Sequence, residues 1–479
     1  MNTQSSEMNT HTKKRWTILS IVVLSVFMST LDGSIVNVAL PTMAKSLNVT
    51  SGAIAWAVSV YLIAVSATML LFGRLGDIWG KTNVFLFGIA LFTIGSFLCG
   101  ITYSLPILLI ARIIQAVGAA GMMANSQGII THVFPAQERG RALGVTGTFV
   151  ALGSLAGPSL GGIIVSYTSW EYIFWINVPV GIIVLILGLK LLPRGDRKVD
   201  EKFDIPGAFL IVTTISLLFG TLGQIGSMGF GSPVILTFLA VTILLFIVFL
   251  KIENKTDMPL LELKLFRNKW FSISIICSFI SFIAIFCSNI VMPFYLQDIL
   301  PFTPGQAGAF LSIYPLILAL TAPISGFLSD KIGSEVLTLC GLSLISLGLF
   351  LMSTLTEHPS YIAMGIFVAI MSLGNGLFQS PNTSLVMSTL PVNKLGIGGG
   401  INAFVRNLGM ICGITLANTL LYGCMSNQLG YRVTDFVEGR NDVFIYGMKV
   451  VYLTAAGICL IGAAITAFRL FSRKREQGK

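Results

Sequence analysis

Residues 73–81 read GRLGDIWGK, and residues 326–334 read GFLSDKIGS. Both segments interrupt long apolar runs, and they share a glycine, an aspartate and a second glycine at the same spacing. Their aspartates, Asp77 and Asp330, lie 253 positions apart. A segment that recurs at this distance predicts two homologous halves related by a parallel repeat, an arrangement typical of membrane transporters.

The composition around these segments is that of a membrane protein. The chain has 479 residues, of which 54% are hydrophobic and only 10% charged, whereas soluble domains carry about 25% charged residues. Residues 205–250 contain no charged side chain and are long enough for two helices of about 20 residues each. The net charge of +10 does not indicate a nucleic-acid partner, because the basic residues lie in short loops between apolar runs. We therefore predict an all-α polytopic protein in a lipid bilayer.

Charge interruptions and glycine or proline residues divide the chain into about 14 spans. Their predicted starts are Trp16, Gly52, Thr82, Leu105, Ala142, Tyr172, Ile205, Pro233, Trp270, Pro304, Val336, Pro359, Leu395 and Phe444. An even number of spans places both termini on one side. Of the 30 Lys and Arg residues, only four fall on the other side, namely Lys45, Arg432, Arg440 and Lys449. Because basic loops favour the cytoplasm, we predict a multi-pass cell-membrane protein with both termini cytoplasmic.

The repeat assigns the spans to three parts of the chain. It pairs the second span with the tenth and the fifth with the thirteenth, which leaves six spans in each half. We predict one six-helix bundle over residues 1–192 and a second over residues 270–479. Residues 193–269 are predicted to form a linker with two extra transmembrane helices, because the most charged loops flank that pair.

Four segments carry motifs that become specific when they occur in this order. They read LDGSIVNVALP at 31–41, GRLGDIWGK at 73–81, RIIQAVGAAG at 112–121 and GSLAGPSLGG at 153–162. Together they resemble the major facilitator superfamily, and within it the fourteen-helix drug–proton antiporters. The resemblance covers nearly the whole chain. It departs from the family at Ala116, where a glycine is common.

The resemblance implies a major facilitator fold that exports amphipathic neutral or monocationic compounds in exchange for protons by alternating access. The proton would be the coupling ion, with no other cofactor and no metal. The expected partners are small amphipathic substrates, protons and the lipid bilayer, and the sequence identifies no protein partner. ATP-driven transport is not expected, since no phosphate-cradling Gly-x-x-x-x-Gly-Lys-Ser/Thr segment occurs. Three scattered histidines give no indication of an enzyme.

Asp32 is the only carboxylate that the sequence places deep within a span. A charge at the bilayer centre costs about 2.5–3.5 kcal/mol on insertion scales, so Asp32 is expected to face a cavity or a partner. Arg112 is predicted at a matching depth, and its fixed positive charge would keep Asp32 ionised until a substrate or a proton intervenes. We expect protonation of Asp32 to release substrate outward by competition. Alternatively, Asp32 is a structural residue bonded to Ser29 or Ser34, and Arg112 packs helices through backbone carbonyls.

A cavity lined by both halves is the expected substrate site. The candidate lining residues are polar side chains within spans, namely Tyr61, Gln115, Asn289, Tyr314, Gln379, Asn382, Asn402 and Arg406. Arg406 either contacts substrate or bonds to neighbouring asparagines without a transport role. The repeat places the uncharged Ile285 opposite Asp32, so the coupling machinery is predicted to be confined to the N-terminal bundle.

The repeated loop is predicted to act as a cytoplasmic gate. Asp77 is expected to meet the positive N-terminus of a helix near residues 395–400 together with Arg139 or Arg141, which would hold the two halves together. A solvated turn is the alternative. The predicted gate residues are Gly73, Arg74, Asp77, Gly80, Lys81 and Asp330.

Glycines in the fifth span predict close helix packing and a hinge. Glycines spaced four residues apart lie on one helix face, and a proline within the span can bend it. The predicted packing motif comprises Gly153, Gly157, Pro158, Gly161 and Gly162.

Two other functions fit the same sequence. An exporter or flippase of an endogenous lipid, peptide or metabolite would share the fold and the gate. A transporter-like sensor or scaffold would also share them, but it would produce no cargo-dependent proton flux in liposomes.

Overall fold

The structure is a computed structural model that describes residues 2–193, 204–228, 232–256, 260, 263–390 and 395–477. Within this part every regular element is helical. The first eight helices are α1 (Asn2–Leu47), α2 (Ser51–Ile54), α3 (Trp56–Trp79), α4 (Lys81–Gly100), α5 (Leu105–Val133), α6 (Ala136–Tyr167), α7 (Tyr172–Trp175) and α8 (Asn177–Leu191). The next three are α9 (Ile205–Gly223), α10 (Ile225–Met228) and α11 (Pro233–Glu253).

The remaining helices follow a 3-10 turn at Leu263–Arg267. They are α12 (Lys269–Phe294), which continues into a π-helical turn (Tyr295–Ile299), then α13 (Pro304–Leu311), α14 (Ile313–Ile332), α15 (Ser334–Met352), α16 (Tyr361–Ser388), α17 (Leu395–Leu429) and α18 (Asn441–Gln477). Helix starts follow local sequence signals. Asn268 caps α12, and Thr303 with Gln306 forms a capping box at α13.

Among the described residues, fourteen helical segments are long enough to cross a bilayer. Thirteen are both long and apolar, and α6, with 32 residues, is the fourteenth. This confirms the predicted all-α polytopic architecture. The predicted span start at Trp16 is confirmed by an apolar span that begins at Arg15, although helix α1 itself begins at Asn2, and α6 begins at Ala136, six residues before the predicted Ala142. Polar and charged residues that the sequence treats as a tail or loop continue the helix there, since helix formation does not require an apolar segment.

The 253-residue repeat recurs in the packing. Helix α4 packs on α5 as α15 packs on α16, and α1 packs on α6 as α12 packs on α17. Gly80 and Gly333, one repeat apart, precede α4 and α15 with φ of 92° and 90°, a conformation that favours glycine. The two halves are therefore built alike, while the proposed boundaries at residues 192 and 270 stay predictions.

Of the two extra helices, α9 lies against both halves and α11 packs on α9. Helix α9 packs on α11 and α3, and both α9 and α10 contact α17. Gly223 lies against the Trp56 ring, where a Cβ would overlap the indole. The extra pair is thus fixed beside the seam between α3 and α17.

We call the side of the protein on which α1 ends the far face. The opposite side, which holds both termini, is the terminal face. At the far face, Lys45 Nζ lies 3.4 Å from Asp298 Oδ1, and Gln297 Nε2 donates to the Val38 carbonyl oxygen at 3.0 Å. The Ser51 backbone N–H donates to Asp435 Oδ1 at 3.1 Å. Each of these contacts joins one half to the other. The two halves therefore contact each other at the far face, which is closed in this structure.

Candidate functional site

Asp32 lies on α1 within the N-terminal half, where its side chain is 0% exposed. Arg112 Nη1 donates to Asp32 Oδ2 at 2.6 Å, and Gln115 Nε2 donates to Asp32 Oδ1 at 2.8 Å. Asn177 Nδ2 also donates to Oδ1, at 3.0 Å. All three partners are donors, which is the arrangement of an ionised carboxylate.

Arg112 is equally well satisfied. Its Nε donates to the Ala57 carbonyl oxygen at 3.0 Å, and its Nη1 also donates to Gln115 Oε1 at 2.6 Å. The guanidinium lies over the Tyr61 ring, with Cζ 4.1 Å from the ring centroid. A buried ion pair is tolerated when its remaining donors and acceptors are bonded, as they are here.

The network joins five helices. Asp32 comes from α1, Arg112 and Gln115 from adjacent turns of α5, and Asn177 from the first turn of α8. Gln115 extends it to α4, because its Nε2 donates to Ser96 Oγ at 2.7 Å. Ala57 adds a carbonyl oxygen from α3. Any change of charge on Asp32 therefore acts on most of the N-terminal bundle.

Ser34 lies two residues after Asp32 but does not donate a hydrogen bond to it. Its hydroxyl donates to the Leu31 carbonyl oxygen at 3.0 Å and to the Gly153 carbonyl oxygen at 3.1 Å. The serine therefore joins α1 to α6, and the donors to Asp32 come from α5 and α8 instead.

The predicted glycine motif packs α6 against α1 beside Asp32. A Cβ at Gly153 or Gly157 would overlap the Thr30 or Ser34 hydroxyl, and a Cβ at Gly161 would lie 2.7 Å from Val38 Cγ1. The α1 and α6 backbones can approach this closely because these positions have no side chain.

The opposite face of the same helix contacts the other half. A Cβ at Gly162 would lie 2.6 Å from the Pro304 carbonyl oxygen, and Gly308 packs on the Pro158 carbonyl oxygen. The Ser159 and Ser312 hydroxyl oxygens are 2.6 Å apart. Helix α6 thus links the Asp32 segment of α1 to the closed far face.

The predicted gate loop is folded onto its own half. Asp77 Oδ1 lies 3.4 Å from Lys81 Nζ, and both side chains are about half exposed (46% and 44%). Lys81 packs on Gly128 of α5, while no atom outside the local helix lies within 4 Å of a Cβ at Gly73. Arg74 is half-buried. The side chains of Arg139, Arg141 and Asp330 lie outside the described residues, so the latch across the halves stays a prediction.

The cavity candidates separate into three groups. Tyr61 and Gln115 belong to the buried Asp32 network. Two others make contacts within the C-terminal half, since Asn382 Nδ2 donates to the Ser274 carbonyl oxygen and Asn375 donates to the Tyr314 hydroxyl. The remaining four are half-buried, namely Asn289, Gln379, Asn402 and Arg406.

A separate cavity of about 300 Å³ lies toward the far face. Its wall combines α3, α9 and α17 through Trp56, Phe219 and Asn418, and none of the predicted cavity residues lines it. The sequence did not indicate this cavity, because nothing in it fixes how α9 sits against the two halves.

The model of the Major Facilitator Superfamily matches residues 22–414 and 274–479. The chain belongs to this superfamily. It is accordingly a membrane transporter and not an enzyme.

Individual relatives of this superfamily member differ in what they carry. The chain is 35% identical to the riboflavin transporter RibZ of Clostridioides difficile (strain 630), over 97% of this chain and 99% of the relative. It is 29% identical to multidrug resistance protein 3 of Bacillus subtilis (strain 168), over 88% and 83% of the two chains. A solved bacterial homologue of the human lysosomal transporter Spinster, inward-facing and occupied, has a TM-score of 0.65 at 15% identity, over 95% and 96% of the chains. That likeness supports the fold alone.

Proposed function

We propose that this superfamily member is a proton-coupled exporter of amphipathic neutral or monocationic compounds. The proposal rests on the ion pair between Asp32 and Arg112. Both side chains are buried, and they meet at mid-span in the N-terminal half. Intramembrane carboxylates that pair internally mark proton relays in pumps and transporters. The multidrug relatives support export of drug-like compounds.

The proton would act on the network as a whole. Protonation of Asp32 removes the negative charge that Arg112, Gln115 and Asn177 converge on, so their donors lose an ionic acceptor. The α1 segment is then free to shift against α6, and α6 carries the shift to α13 at the far face. Direct competition between cargo and proton would first require Asp32 to become exposed, since no part of its side chain is exposed in this state.

With both termini in the cytoplasm of a cell membrane, the closed far face would be the outer side. Cargo would enter from the cytoplasm. Proton binding to the network would precede opening of the outer side.

Transport of a flavin or a similar planar vitamin is the second candidate. The relative that is 35% identical over nearly the full length of both chains is named a riboflavin transporter, whereas the multidrug relatives are 28–29% identical. Export of an endogenous lipid, peptide or metabolite and a sensor role remain the further alternatives.

Reconstitution in liposomes with an imposed pH gradient separates these functions. The protein is mixed in separate experiments with ethidium, riboflavin and no cargo, and both cargo and internal pH are followed by fluorescence. Proton-driven ethidium movement supports the exporter, and riboflavin movement alone supports the second candidate. Movement of neither compound under either gradient direction would contradict both proposals and leave export of a lipid, peptide or metabolite and the sensor role.

A further inference from the structure

Arg406 of α17 is a second arginine within a span, and its surroundings differ from those of Arg112. It lies 11 residues after the first residue of α17, about 16 Å along the helix. Its Cζ is 5.7 Å from the centroid of the Phe282 ring on α12. Its Nε is buried and has no hydrogen-bond partner.

The polar side chain one turn earlier is also unpartnered. Asn402 Oδ1 is buried and accepts no hydrogen bond. Residues four apart lie on the same helix face, so the acceptor Asn402 Oδ1 and the donor Arg406 Nε, both without partners, belong to neighbouring side chains. In the described part of the chain, no carboxylate pairs with Arg406.

This part of α17 lies at the seam between the two halves. Asn407, the next residue, donates from Nδ2 to Met69 Sδ of α3 at 3.8 Å, and Ala403 packs on the apolar cluster of the N-terminal half. Arg406 itself is only half-buried. A cargo held between the halves would meet Arg406 and Asn402 together.

Comparison with Arg112 shows which hydrogen-bond acceptors Arg406 lacks. The chain supplies Arg112 with a carboxylate, a side-chain amide oxygen and a backbone carbonyl oxygen. Buried charges in proteins are paired, and a guanidinium presents a planar fork that matches carboxylate or adjacent carbonyl oxygens. The acceptor for Arg406 is therefore expected from outside the chain.

We infer that Asn402 and Arg406, with Arg406 held over the Phe282 ring, form a subsite for the oxygen-rich end of a cargo. The Arg406 fork would bind carboxylate or imide carbonyl oxygens, and Asn402 Oδ1 would accept an adjacent N–H or O–H. The Phe282 ring is 7% exposed and lies under the Arg406 guanidinium, so it supports that side chain. A cationic group is disfavoured there by the charge of Arg406. The inference rests on the proposed transport function: a neutral imide cargo lies within its cargo class, and a carboxylate cargo would extend that class to anions.

The test measures binding without any gradient, so failure of proton coupling leaves its outcome unaffected. Full-length protein in nanodiscs is titrated with fluorescein (an aromatic carboxylate), riboflavin (an imide) and ethidium (a cation), and dissociation constants are read from fluorescence. Wild-type protein should bind fluorescein or riboflavin. Arg406→Gln should weaken that binding about 10- to 100-fold, since charge-assisted hydrogen bonds are lost.

Ethidium and stability separate recognition from a structural role. Arg406→Gln should leave ethidium binding unchanged or tighter, and its ligand-free melting temperature should be unchanged or higher, because an unpaired buried charge is removed. Arg406→Lys should fall between wild type and Arg406→Gln, and Arg440→Gln, in an exposed pair with Asp442, is the matched control. A parallel loss for all three probes, a lower melting temperature, or no fluorescein or riboflavin binding by wild type would overturn the inference.

Discussion

Neutralising Asp32 and Arg112, singly and together, measures how strongly the network depends on their charges. Asp32→Asn leaves Arg112 buried without its carboxylate, and removing one partner of a buried pair costs about 3–5 kcal/mol. Arg112→Gln leaves Asp32 unpaired and also loses the hydrogen bond to the Ala57 carbonyl oxygen, about 1 kcal/mol more. The double variant contains no uncompensated charge, so it should cost no more than either single variant.

The free energies are obtained from reversible unfolding in mixed detergent micelles of increasing SDS content. The expected coupling between the two positions is about 3 kcal/mol or more, far above the roughly 0.5 kcal/mol within which independent sites add. The exposed Arg440–Asp442 pair, probed by the same cycle, should show no measurable coupling because water and salt screen it. Additive effects at Asp32 and Arg112 would refute the reasoning that their charges stabilise each other.

Two predictions concern α6. Gly157→Ala should destabilise the protein by about 1–3 kcal/mol in the same unfolding assay, because the new methyl group overlaps the Ser34 hydroxyl. Gly33→Ala has open space and should be neutral, so equal effects would contradict the packing argument. Ser159→Cys with Ser312→Cys, whose hydroxyls are 2.6 Å apart, should form a disulfide that stops transport of riboflavin or ethidium until reduced. Undiminished transport by fully cross-linked protein would mean that the far face need not open.

The sequence was sufficient for the architecture. Span length, charge content and the 253-residue repeat rest on chemistry that is independent of tertiary contacts. Helix boundaries were accurate where glycine, proline or an N-cap marks them. The apolar span of α1 begins at Arg15, next to the predicted Trp16, while polar residues extend the helix back to Asn2, and α6 begins six residues before the predicted Ala142.

Only part of the candidate site could be predicted from the sequence. Equal depth along two spans was enough to predict that Asp32 and Arg112 are neighbours, but depth does not show which side of each helix faces the other. The sequence analysis did not select Asn177 or Ser96, which both belong to the network. Each is a polar residue within an apolar span, which is the same signal that selected Gln115.

Other assignments depended on packing that one sequence does not encode. Tyr61 was expected to line a cavity, whereas it stacks on Arg112. Arg112 has hydrogen-bond partners within the chain, whereas Arg406 Nε has none. The sequence could not predict this difference, because both residues are arginines at a similar depth in a span. Only the arrangement of neighbouring helices separates a residue of an internal network from one that is available to cargo.

Proton movement by the Asp32→Asn variant tests the central claim most directly. Wild type and variant are reconstituted in liposomes that enclose a pH-sensitive dye, and riboflavin and ethidium are added separately without an imposed gradient. Wild type should exchange protons when it moves one of these compounds. The variant should still bind that compound but produce no cargo-dependent pH change. Full cargo-dependent proton exchange by the Asp32→Asn variant would contradict the account.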